Sequence, residues 1–140
     1  MTEAPEQRAV AEVLDAFHEA AGAADEERYF ATLATDMVFL GTDPGERWAG
    51  EEFKAFVHTH FSRGKGWLYT PSARTVVVAD DARTAWFDER LENDHFGECR
   101  GTGVLRRDDR AWRIAQYNLT IPVPNQLTTQ VVSLIRGAAS

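Results

Sequence analysis

The hydrophobic positions change period part-way along the chain, from helical in the first half to alternating in the second. Between Pro5 and about Ala24, Val10, Val13, Leu14, Phe17 and Ala21 fall at helical spacing, with Glu6 and Glu12 toward the end where the helix dipole favours acids. This predicts an amphipathic helix whose end Gly22 loosens. DEERYFATLA resumes as a second, short helix with Tyr29, Phe30 and Leu33 on one side. The apolar run Met37 to Leu40, bounded by Asp36 and by GTDPG, predicts a strand entering a turn, and Trp48 follows that loop. Gly50 opens a third helix in which Phe53, Phe56, Val57, His60 and Phe61 occupy one face, and Arg63-Gly64 reads as its stop.

Beyond Gly66 the pattern is strand-like. ARTVVVADDARTAWFDERLEN predicts two strands joined at Ala79-Asp80-Asp81-Ala82, ECRGTGVLRR a third, and AWRIAQYNLTI a fourth, with RRDDRA as the hairpin between the last two. The expected sheet is antiparallel. Pro122 and Pro124 end it, because neither supplies a ladder hydrogen bond. Leu127, Val131, Leu134 and Ile135 then predict a last helix that Gly137 ends. Helices followed by a run of strands is the order of an α+β fold with helices covering one face of a sheet, and residues 1–140 read as one domain.

Alternation assigns faces. In TAWFDERL, Ala85, Phe87, Glu89 and Leu91 share the more apolar face, so Glu89 points to the covered side and Asp88 outward. Gly101 and Gly103 share the corresponding face of the next strand, which suggests open space beside the Glu89 carboxylate. The fourth strand divides into Trp112, Ile114, Gln116 and Asn118 against Arg113, Ala115, Tyr117, Leu119 and Ile121, and the residues alone leave its orientation open.

Composition narrows the function. Fifteen basic against 22 acidic residues give a formal charge of −7, which disfavours nucleic-acid binding through phosphate neutralisation. No apolar run approaches the ~20 residues a membrane helix needs, and MTEAPEQRAVAEV lacks the basic start and apolar run of a secretion signal, so the expectation is a cytoplasmic protein. Cys99 is the single cysteine, read as a small buried hydrophobe. The four histidines have no metal-ligand spacing, and no P-loop, dinucleotide fingerprint or nucleophile elbow is visible; neither metal nor cofactor is expected.

The helices, the strand, the WAGEEF-type third helix and the long strands ending in WRIAQYNL resemble the nuclear-transport-factor-2-like (NTF2-like) superfamily, and within it the SnoaL-like group, over about residues 8 to 121. TGVLRRDDRAW also resembles the association domain of calcium/calmodulin-dependent kinases. The resemblance implies a curved antiparallel sheet wrapped around the N-terminal helices as a cone, with a C-terminal helix and a ligand cavity on the concave side. Phe87, Glu89, Gly103 and Leu119 fall where the kinase association domain has cavity residues, but its basic residues are absent at the places held here by Glu89, Gly103 and Leu119. The same register would put Ala115 and Tyr117 inward, leaving Trp86, Asp88, Thr102, Val104, Trp112, Ile114, Gln116 and Asn118 on the convex face, where two exposed tryptophans imply a homodimer.

Candidate chemistry follows. Glu89 is either a general acid or base in an apolar cavity, or the ion-pair partner of Arg28 or Arg74. His60 is either its proton-transfer companion or a neutral core residue. Tyr117 offers a phenol to a carbonyl or hydroxyl, and Phe17, Trp48 and Trp67 are candidate cavity aromatics. Asp43-Pro44 resembles the catalytic aspartate region of steroid isomerases. However, the first helix offers Phe17 and the later strand Gly103 where those enzymes have oxyanion-hole residues, so Asp43 reads as a turn residue. Three readings result: a cavity binding a small organic ligand, with Glu89 and Tyr117 as its main polar contacts; a cofactor-free cyclase, isomerase, hydratase or dehydratase using Glu89, with His60; and an association module working through Trp86, Trp112, Ile114, Gln116 and Asn118.

Overall fold

The structure, a computed structural model, describes residues 4–139; residues 1–3 and 140 of the one-domain reading lie outside it. Helix α1 runs Pro5–Ala23, with Pro5 in the first turn, where its missing N–H costs nothing. It ends at Ala24, whose left-handed φ of 54° brings the Asp25 N–H back to the Ala20 carbonyl at 2.9 Å; this cap, rather than Gly22, closes the helix. Helix α2 is only Glu26–Ala31, capped by the Asp25 side chain on the Arg28 N–H. The strand after it therefore starts earlier than the apolar run suggests: β1 is Leu33–Leu40.

A three-residue strand, β2 (Arg47–Ala49), follows the turn and leads into α3 (Gly50–Phe61). Then come β3 (Thr70–Val78), β4 (Thr84–Asn93), β5 (Gly97–Arg107) and β6 (Trp112–Thr120). A short 3₁₀ turn at Asn125–Leu127 precedes α4 (Thr128–Ala139), which continues through Gly137 instead of stopping there. The sheet order is β2-β1-β6-β5-β4-β3. It is mixed rather than wholly antiparallel, because β1 lies parallel to β6 while every other pair is antiparallel.

Alternation in β4 is as expected. Ala85, Phe87, Glu89 and Leu91 are buried under the helices, and Trp86, Asp88 and Arg90 face away from them. The inward side chains meet Val10, Leu14 and Phe17 of α1 and Phe53, Val57 and Phe61 of α3 in one core. Each buried Val, Leu or Phe side chain among them contributes about 1.5–3 kcal/mol.

Strand β6 departs from expectation. Val104 faces Gln116, but the next residue, Leu105, faces Ile114, so Ala115 is left over as a bulge. The extra residue inverts the alternation below it. Trp112 and Ile114 are buried in the core on the same side as Tyr117 and Leu119, and Trp112 Nε1 donates to Glu6 Oε2 at 2.7 Å. They are not part of the convex face, and Ala115 does not share a face with Tyr117. That outer face keeps Trp86, Asp88, Thr102, Val104, Gln116 and Asn118 of the expected set.

Candidate functional site

Glu89 is the hub of a buried polar cluster. Its side chain is fully enclosed, and each oxygen is occupied: Oε1 accepts from Arg74 Nε at 2.8 Å, and Oε2 accepts from the Tyr117 hydroxyl at 2.6 Å and lies 2.6 Å from His18 Nε2. Alternation supplies Glu89 from β4, cross-strand pairing sets Arg74 opposite it on β3, and Tyr117 comes from β6. His18 comes from α1, one helical turn beyond Leu14 on the buried face. Arg74 Nη1 continues the network to the Ala11 carbonyl at 3.2 Å and to Asp15 at 2.8 Å, while its Nη2 is buried with no hydrogen-bond partner.

Burial by itself would raise the Glu89 carboxyl pKa. The hydrogen bond and charge of His18 oppose this, the Tyr117 hydroxyl and Arg74 add to them, and the net displacement is below the ordinary 4.5. Glu89 is thus held ionised, the state in which it accepts four-square from its donors. Tyr117 moves the other way: burial and the adjacent Glu89 charge push its phenol well above the ordinary range, so it stays a donor. Of the two arginines expected as partners, Arg74 takes the role; Arg28 pairs with Glu19 at 3.3 Å.

A cavity of about 200 Å³ opens beside this cluster. Ten of the chain's eight Phe, four Trp and three Tyr residues line it, together with His18, Leu91, Leu119 and the turn residues Gly41, Thr42 and Glu46. Among the expected contacts, Phe17, Trp48, Trp67, Tyr117 and Leu119 are on the wall. Phe87, Glu89 and Gly103 stand behind it. Phe87 packs on Tyr117 with ring centroids 5.6 Å apart. A Cβ on Gly103 would come within 2.0 Å of the Gln116 carbonyl oxygen, and one on Gly101 within 2.1 Å of the Tyr117 hydroxyl. The glycines therefore admit a crossing strand and a phenol; they do not leave a void beside Glu89.

His60 does not join Glu89. Its Nδ1 meets the Phe56 carbonyl at 3.1 Å, and its ring packs on Phe56 and Trp67 with centroids 4.6 and 5.5 Å away. His18 holds the place that had been given to it, and the helical spacing from Leu14 was the signal available for finding it. Asp43 is a turn residue, its Oδ1 accepting from the Gly45 N–H at 2.9 Å. Among the described residues no group of His, Cys, Asp and Glu could hold a metal ion. No helix among them is long and apolar enough to cross a membrane.

In the family comparison, the model of the SnoaL-like domain matches residues 10–124. The chain belongs to the SnoaL-like domain family. Solved structures place this SnoaL-like chain in the NTF2-like fold. An NTF2-like protein of unknown function from Pseudomonas putida KT2440 superposes with a TM-score of 0.70 at 16% identity, covering 86% of this chain and 89% of that one. A protein of unknown function with a cystatin-like fold from Nostoc punctiforme PCC 73102 gives 0.67 at 15% identity, covering 87% and 96%. A ketosteroid isomerase-like protein from Erwinia carotovora atroseptica SCRI1043 gives 0.64 at 21% identity, covering 87% and 100%. No curated protein matches the chain.

Proposed function

We propose that this SnoaL-like protein binds one small, mainly aromatic organic molecule in the cavity between α1, α3 and the sheet. The carrying observation is the wall itself: two-thirds of the chain's aromatic residues converge on about 200 Å³. A cavity of roughly 150 Å³ holds a single benzene ring, so this one suits a substituted ring or two fused rings. Rings already stacked in pairs, such as Trp48 on Phe56 at 4.6 Å and Phe39 on Phe53 at 4.9 Å, offer preformed flat faces to a planar guest. Tyr117 and His18 supply polar contacts, with Glu89 acting behind them as the group that positions both.

Titration with 2-naphthol, followed by tryptophan fluorescence and by the melting temperature, tests this reading. Saturating probe at about 100 times Kd stabilises the fold by about 2.7 kcal/mol. Leu119→Trp fills the cavity and removes the response while the protein stays folded. Failure of 2-naphthol and of a panel of other one- and two-ring compounds to bind would overturn it.

A second reading is favoured by the His18 geometry. A carboxylate holding one imidazole nitrogen at 2.6 Å while the ring sits on a cavity wall is the arrangement of an acid–base dyad. On this reading the protein is a cofactor-free isomerase or dehydratase in which His18 moves the proton, Glu89 orients it, and Tyr117 holds the Glu89 carboxylate in place. Of the fold's relatives, the Erwinia protein is described as ketosteroid isomerase-like. Turnover of any ligand found by co-purification, lost in His18→Asn with binding retained, is the expected result; unchanged turnover in that variant removes His18 as the base.

A further inference from the structure

The charges that face the cavity are one-sided. Among its lining residues no lysine or arginine is present, and Glu46 is the one carboxylate. Glu46 belongs to the turn between β1 and β2, where its Oε1 accepts from the Asp43 N–H at 2.9 Å and lies close over Gly41. Gly41 gives the carboxylate its place, since a Cβ there would come 2.8 Å from Oε1. Tyr69, on the wall with Glu46, has its phenol pushed up to about 12 by burial, by Cys99 and by Glu46.

The same wall carries a run of near-parallel rings. Trp48 and Phe56 stack at 4.6 Å and 16°, and Phe56 and Trp67 lie at 5.8 Å and 8°. Ring faces carry negative quadrupole density, and indole faces attract cations most strongly. A carboxylate and indole rings on a wall without lysine or arginine, its one imidazole held by Glu89, form an environment that favours a positive guest. An anion would lose its water to a wall that offers neutral donors but no lysine or arginine, and His18 Nε2 is already engaged by Glu89. The formal charge of −7 on the chain acts in the same direction during approach.

Resting on the cavity reading above, we propose that the ligand is a small arylalkyl amine, bound as its ammonium ion by Glu46 and an indole face of the wall. The aryl group fills the aromatic interior, and the ammonium group lies toward the turn that carries Glu46. His18 and Tyr117 remain for a second polar substituent.

Three probes of nearly equal size separate the possibilities: 2-phenylethylamine, 2-phenylethanol and phenylacetate, each titrated by calorimetry at pH 7 into the full chain. The amine is expected to bind at least tenfold tighter than the alcohol, and the acid more weakly than either. Glu46→Gln, which keeps the oxygen that accepts from the Asp43 N–H, brings the amine down to the alcohol and leaves the alcohol unchanged. Equal binding of amine and alcohol, tighter binding of the acid, or an amine preference that survives Glu46→Gln overturns the amine assignment while leaving the cavity reading standing. If none of the three binds and 2-naphthol does, the amine assignment falls alone. If nothing binds, both fall.

Discussion

A Cβ on Gly101 would lie 2.1 Å from the hydroxyl oxygen of Tyr117. The glycine exists in β5 so that a phenol from β6 can lie across it and reach Glu89 on β4. Gly101→Ala is therefore expected to push the phenol off the carboxylate and to destabilise the fold by about 1–3 kcal/mol, the usual range for overpacking a tight core. In a Tyr117→Phe background the methyl meets no hydroxyl, so the same substitution costs less. Denaturant unfolding of the four variants measures the difference; an equal cost in both backgrounds would sink this account of Gly101.

Much of this arrangement was legible in the residues. Strict alternation through TAWFDERL was enough to send Glu89 inward and Asp88 outward, because a two-residue period with one apolar face leaves a single choice. The fate of Trp112 and Ile114 was not legible. A bulge at Ala115 shifts the pairing by one residue, and nothing in AWRIAQYNL marks it; it shows only in how β6 pairs with β5. The glycines misled for a related reason: an absent side chain signals either open space or close approach, and only the partner strand decides which. His18 was readable as a buried helix position, but its pairing with Glu89 spans 71 residues and depends on how α1 crosses the sheet.

Glu89 links acid stability to this cluster. Its folded pKa lies below the ordinary value of 4.5, so its contribution is present above that pH and is lost as the pH falls through the folded value. Glu89→Gln should flatten the loss of stability below about pH 4.5 relative to the wild type. At neutral pH it removes one of the two carboxylates paired with Arg74, which keeps Asp15 at 2.8 Å, so the cost stays below about 3–5 kcal/mol, that of a buried charge left with no partner. Adding Asp15→Asn takes away the remaining carboxylate, and the double variant should be less stable than Glu89→Gln alone. Urea melts from pH 3 to 7 check both points; parallel pH profiles for wild type and Glu89→Gln would contradict the depressed pKa.

All three tyrosines are held protonated beyond their ordinary pKa of 10. Burial raises Tyr29 and Tyr117 far above it, and Tyr69 is pushed up to about 12. Raised pKa values mean that the folded chain keeps protons the unfolded chain gives up, so stability is full below pH 10 and falls as the pH rises beyond it. Absorbance at about 295 nm, where phenolate absorbs, should remain flat through pH 10 in the native protein. Tyr69 should be the first to ionise, and Tyr69→Phe should remove that step. A native titration with a phenolate forming at pH 10 would show a tyrosine in ordinary solvent.

Trp86 stands in an apolar row across the outer face of the sheet, between Val77 of β3 and Val104 of β5, with Gln116 next in line. It is 47% exposed and Val77 is 40% exposed, while Leu134 and Ile135 of α4 add a second uncovered apolar surface at 74% and 61%. The occupant we propose for the outer face is a second copy of this chain. On that face Asp88 lies two residues along β4 from Trp86 and Arg90, opposite Arg100, four residues along, so the face carries both charge signs, which a two-fold pairing can set against each other. A central tryptophan is the residue type that most often dominates such an interface, at about 2 kcal/mol or more. Sedimentation equilibrium should give twice the chain mass of 15.7 kDa for the wild type and the single chain mass for Trp86→Glu, with the circular dichroism of the two alike. A wild-type protein that sediments at the single chain mass at tens of micromolar, ~10 times the Kd a stable interface needs, would rule out this face as a dimer contact.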